Sequence, residues 1–276
     1  MKFDAYQDVT DRILAKMDDG ELPPWCRTWT TAGAPKNLSS GKAYRGINVF
    51  LLLLQPFSSP YWVTFKQAKD KGGSVRKGEK GTRILFWKIL NKEKEGKETS
   101  FPLLRTYTVF NTDQCEGLDV PAVEGCSNSD DPIPDCEAIV AGYPLPRPER
   151  QKGKPSYAPF LDTVRMPRMD EFTGAEEYYS TLFHELAHST GHVDRLDRDL
   201  MKVPEFGSAD YSREELVAEF SASFLCAAGG ISPRTIDNQA AYLAGWRKKL
   251  KADPKMVIYA AQRAQKAAEY ILGTPE

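Results

Sequence analysis

The chain has 276 residues, 41% hydrophobic and 27% charged, with a formal net charge of −1. That composition excludes a disordered or collagen-like chain, and the length suffices for two modest domains. No stretch approaches the roughly 18 uncharged apolar residues needed to span a bilayer, and Met1-Lys2-Phe3-Asp4 opens into a polar segment without a signal-peptide core, so a soluble cytoplasmic protein with no membrane partner is expected.

Phe3, Tyr6, Val9, Ile13 and Met17 recur at spacings of three and four before Gly20, which predicts an amphipathic helix over 3–19. A loop rich in Pro, Gly and Ser leads to Tyr44. The apolar run Ile47 to Leu54 is a buried element, helix or strand, that periodicity does not decide. Thr64 caps a short helix through Lys71 that Gly72-Gly73 ends. Arg83 to Leu90 and Leu103 to Phe110 are rich in β-branched and aromatic residues, and the charged tract Asn91 to Ser100 between them reads as an exposed hairpin loop. From Glu124 to Pro155 the composition shifts to Pro, Gly, Asp and Ser, as in a linker. Beyond it come a strand within Phe160 to Met166 and helices at about 176–190, 212–228, 235–251 and 255–272. The expected fold class is α+β in two domains: a small α+β domain over 1–123, a linker over 124–155, and a mainly helical domain over 156–276.

Five dispersed cysteines without a C-x-x-C support neither a disulfide framework nor a cysteine-only zinc site. All three histidines fall in His184-Glu185-Leu186-Ala187-His188-Ser189-Thr190-Gly191-His192. This is H-E-x-x-H on a predicted helix, where residues i and i+4 share a face, so both imidazoles reach one Zn2+ while Glu185 takes a proton from metal-bound water. A catalytic zinc usually takes three protein ligands plus water. Glu215 is assigned as the third, in Glu214-Glu215-Leu216-Val217-Ala218-Glu219. Glu219 and Asp194 are the alternatives, Asp194 because His188 to Asp194 fits H-x-x-G-x-x-D. Whichever of Glu215 and Glu219 does not bind metal is expected to orient a ligand imidazole. Mn2+ or Co2+ suits the same ligands. Gly191 ends the helix, which leaves His192 as a surface or capping histidine, and Tyr157, Tyr178 and Tyr179 read as core or rim aromatics.

Lys36 to Arg105 holds 15 Lys/Arg against 5 Asp/Glu. There, and just before it, Trp25, Trp29, Tyr44, Tyr61, Trp62 and Phe65 are interleaved with Arg27, Lys36, Lys42, Arg45, Lys66, Arg76, Lys77 and Lys80. Aromatic surfaces among cations suit a single nucleic-acid strand, through stacking and phosphate pairing. The competing reading makes several of these aromatics core, Trp62, Phe65 and Trp87 first. Nothing matches a Walker loop, a dinucleotide fingerprint, a helix-turn-helix or a zinc finger.

Pro24-Trp25, Trp29, Pro35-Lys36-Asn37, Ser40-Gly41-Lys42, Tyr44-Arg45-Gly46-Ile47-Asn48, Thr64-Phe65-Lys66-Gln67-Ala68, Gly73 to Gly81 and Val109 to Gln114 resemble the N-terminal domain of ArdC-type antirestriction proteins. Tyr179, His184 to His192, Arg195-Leu196, Phe206-Gly207-Ser208, Tyr211 and Glu214 to Glu219 resemble the zincin-like metallopeptidase domain of the same family. The resemblance implies an N-terminal domain that binds single-stranded DNA, a C-terminal metallopeptidase-like domain with a glutamate as third ligand, and a plasmid-borne role in protecting incoming DNA from host restriction during conjugation. Asn48 and Gln67, inside the matched motifs, thereby join the DNA-contacting candidates. Plasmid primase-associated proteins share the N-terminal region. Two further functions compete: a DNA-located zinc metallopeptidase that cleaves a host restriction subunit or a DNA-bound protein, and a regulatory protein whose zinc is structural.

Overall fold

The computed structural model describes the backbone of residues 4–19, 21, 23–26, 34–94, 97–122, 132–143, 147–151, 153–198, 200, 209–231, 233 and 239–274, and their side chains except at 87–94, 97–104, 209, 210, 239–241 and 243. It divides into two compact units, Pro35–Ala122 and Met1–Ala34 with Val123–Glu276. The first 34 residues group with the second half of the chain, and the described parts of the 124–155 segment are built into that half too.

The first helix, α1 (Ala5–Asp18), starts at Asp4, whose carboxylate accepts from the Tyr6 and Gln7 amides, and it buries Val9, Ile13 and Met17. In the 35–122 unit, β1 (Lys36–Asn37) leads to α2 (Ile47–Leu53), then β2 (Tyr61–Val63), α3 (Phe65–Asp70), β3 (Ser74–Val75), β4 (Thr82–Lys94), β5 (Lys97–Asn111) and β6 (Cys115–Glu116). The main sheet runs β1-β2-β5-β4, and β3 pairs with β6. The ambiguous apolar run is thus helical. It buries Ile47 and Val49 to Leu52 because its leucines must cover a sheet face. Thr64 caps α3 in a reciprocal box with Gln67. Among its described residues the charged tract is strand: pairing continues through Lys92↔Thr99 to Lys94↔Lys97. Leu52, Trp62, Ile84 and Val109 form the core, with Tyr44 and Phe57 against it.

In the other unit, α4 (Pro134–Gly142), β7 (Glu149–Arg150), β8 (Ser156–Ala158) and β9 (Thr163–Met166) precede four helices, α5 (Ala175–Ser189), α6 (Ala209–Ala228), α7 (Gln239–Ala252) and α8 (Met256–Leu272). The expected linker therefore contains a helix that buries Cys136, and a strand paired in parallel with β9. Pro134 opens α4, where a missing N–H costs nothing. Sheet order is β7-β9-β8. α8 turns Ala260, Ala261, Ala264, Ala267 and Ala268 inward, which lets neighbouring helix backbones approach closely. α1 packs on α7 and α8, and Thr10 donates to the Pro254 carbonyl at 2.8 Å. Among the described residues no helix is long and apolar enough to cross a membrane.

Candidate metal centre and nucleic-acid interface

Helix periodicity places His184 and His188 one turn apart on α5, facing α6. Their Nε2 atoms lie 3.1 Å apart, and Glu215 of α6 sets its carboxylate oxygens 3.7 Å from His184 Nε2 and 3.5 Å from His188 Nε2. Ligand atoms about 2.0–2.2 Å from a tetrahedral ion stand roughly 3.3–3.6 Å from one another. The three side chains stand close to that spacing, each histidine facing a different oxygen of Glu215. Two imidazole lone pairs and a carboxylate converging at this distance require a cation or protons between them, so the residues fit a divalent metal.

His188 is held from behind. Its Nδ1 lies 3.4 Å from Glu214 Oε1, and Arg198 grips both oxygens of Glu214 at 2.7 and 3.0 Å. A proton on Nδ1 then leaves Nε2 free to ligate. Arg198 also donates to the Thr190 hydroxyl and the Ala187 carbonyl, so it ties the end of α5 to α6. Gly191 makes room for this: a Cβ there would press on Leu200 at 2.8 Å and on the Arg198 guanidinium at 3.0 Å. Burial pulls the His188 imidazole down, but Glu214, Glu215 and Glu185 outweigh it and raise it to about 8. Glu185 is itself buried between the two histidines on α5. Burial and a hydrogen bond to Glu215 push the Tyr211 hydroxyl up to about 12.

Asp194 does not reach the cluster, because α5 stops at Ser189 and the following turn leaves its side chain 83% exposed beside His192. Glu219 lines a small cavity next to His184, together with Trp25, Cys26, Thr181 and Ala222. Glu214 of α6 partners the His188 imidazole, and sequence reasoning missed it along with Arg198. Adjacent helix positions point about 100° apart, so Glu215 faces the two Nε2 atoms while Glu214 meets the outer nitrogen of His188. The H-x-x-G spacing was the available signal, as it demands a turn that brings the next basic side chains back. Tyr179 is fully buried and hydrogen-bonded to Glu137, and Tyr157 donates to Asp162.

The nucleic-acid candidates separate sharply. Trp25 is a core residue of the larger unit, 4.8 Å from Phe220 between ring centroids, with its indole N–H donating to Tyr242. Trp62 is buried in the sheet core. Neither offers a ring face to a base. Asn48 bonds the N–H and carbonyl of Leu85 at 2.8 and 2.7 Å, and Gln67 is committed to Thr64 and Asn37, so both amides serve the fold. Tyr44 is half-buried against the core, its hydroxyl accepting from Asn37. Arg76 braces a turn through the Asp113 carbonyl and Glu79. Lys42, Arg45, Lys66, Lys77 and Lys80 are exposed. Trp29 lies outside the described residues. Sequence reasoning passed over Phe86 and Tyr107, and it left Phe65 off the contact set. All three rings are substantially exposed.

Comparison with known proteins gives two family matches along the chain. Residues 3–110 match the family described as the N-terminal domain of anti-restriction factor ArdC, and residues 139–263 match zincin-like metallopeptidase. The structure superposes on the antirestriction ArdC protein of plasmid R388, metal-free and Mn(II)-bound, with TM-scores of 0.82 and 0.80 at 38% identity, covering 99% of this chain and 98% of that one. A DNA primase TraC of Escherichia coli is 34% identical over 97% of this chain, which spans only 27% of that primase. An uncharacterized protein, y4eC, of Sinorhizobium fredii (strain NBRC 101917 / NGR234) is 32% identical over 97% of this chain and 91% of its own length.

Proposed function

The chain belongs to the ArdC family of antirestriction proteins, and from that premise we propose that it binds single-stranded DNA through its 35–122 unit and protects incoming plasmid DNA from host restriction. The carrying observation is the charge of that unit: 15 Lys/Arg against 8 Asp/Glu, net +7, in a chain whose total is −1. A folded cationic unit beside an acidic remainder is suited to a polyanion.

In the second unit His184, His188 and Glu215 would hold a divalent ion, Zn2+ or the Mn2+ that the R388 relative binds. Such an ion supplies Lewis acidity and a water whose proton is easily lost. Glu185 is the general base that receives this proton, Glu214 with Arg198 orients His188, and Tyr211 holds the Glu215 carboxylate. These roles support a second reading, in which the protein is a DNA-located metallopeptidase acting on a host restriction subunit or a DNA-bound protein. The buried Glu185, close enough to His188 to raise its imidazole, favours it.

Glu185→Gln separates the two. It preserves the ligands and removes the base, so protection of transferred DNA in cells is expected to survive if strand occupancy is the effector. Loss of protection with unchanged DNA affinity would instead make peptide hydrolysis the effector.

A further inference from the structure

In the β4–β5 ribbon the register pairs Thr82 with Val109, Ile84 with Tyr107 and Phe86 with Arg105. Directly opposed residues share a sheet face, and so do residues two apart, which puts these six side chains on one face. Burial runs out along it. Thr82, Val109 and Ile84 are 5%, 1% and 9% exposed, whereas Phe86 and Tyr107 are 49% and 43% exposed and Arg105 lies in solvent opposite Phe86. The two rings stand edge to face, 5.8 Å between centroids and 88° between planes.

We infer that Phe86, Tyr107 and Arg105 form the platform on which unpaired bases of single-stranded DNA stack. This rests on the single-strand reading of the 35–122 unit. That unit is cationic, so strand phosphates are drawn to it, and the exposed rings offer bases a sequence-tolerant partner. Arg105 offers a phosphate a charge, or a base a planar guanidinium, beside the Phe86 ring. The platform also predicts a preference for the single strand, because a duplex keeps its base faces stacked inside.

The test measures binding of the full chain to a fluorescein-labelled dT20 oligonucleotide and to a duplex of equal length, across a salt series. Phe86→Ala with Tyr107→Ala is expected to lower single-strand affinity by about 10- to 100-fold, with an unchanged slope against salt, since each stacked base contributes a few-fold or more and no phosphate contact is lost. Phe86→Leu keeps apolar volume but no ring, so it is expected to weaken binding as well while the melting temperature holds; Tyr107→Phe should bind as the parent does. Parental affinity in both Phe86→Leu and the double variant, with the parent itself preferring the single strand, would overturn the platform and assign these rings to a protein partner. A parent that binds no single strand removes the reading beneath the platform and the platform with it.

Discussion

Glu214 and Glu215 are neighbours in sequence with different duties, and the difference is measurable. Glu215 faces both Nε2 atoms, so Glu215→Gln should abolish tight Zn2+ or Mn2+ binding by chelator competition; full metal content in that variant would contradict the ligand assignment. Glu214 touches only the outer nitrogen of His188, and support of this kind contributes about 10- to 100-fold in metal affinity. Glu214→Gln and Arg198→Met are therefore expected to weaken metal by that factor without losing the site, and parental affinity in both would refute the brace. The pairing of His184 with His188 was legible from the i, i+4 spacing, which sets a shared face whatever the tertiary context. The brace was not. Arg198 arrives from a turn beyond α5, and no periodicity relates a loop residue to a helix 16 positions later.

At the scale of elements, the amphipathic stripe of α1 announced a helix without saying what it covers. The answer is α7 and α8, with Trp25 following into a pocket against Phe220 and Trp246. A stripe records that a face is buried and carries no address, so what α1 covers was not legible from its spacing. Trp25→Ala should cost about 3–5 kcal/mol of stability, seen as a lower melting temperature of the larger unit, while single-strand affinity of the folded protein is retained. Loss of DNA affinity at parental stability would restore Trp25 to the DNA-contacting set. The β4–β5 ribbon was legible where β-branched and aromatic residues cluster. Its charged extension was not, since Asn91 to Ser100 lacks the apolar alternation that marks a half-buried strand.

The whole molecule joins a cationic unit of net +7 to a remainder of opposite sign that bears the cluster of His184, His188 and Glu215. Charge was readable from residue counts alone. Which aromatics face solvent was not, because Trp62 and Phe86 look alike in sequence until strand register buries one and exposes the other. If the cationic unit holds a strand by its phosphates, binding must release counterions, and about three neutralised phosphates give log K against log salt a slope of about −2. The most direct measurement is thus the affinity of the full chain for a single-stranded oligonucleotide, beside its duplex, over a salt series. The expected result is a preference for the single strand with a slope of about −2 or steeper; no binding, salt-independent binding, or a preference for duplex would contradict the proposed protection by strand occupancy.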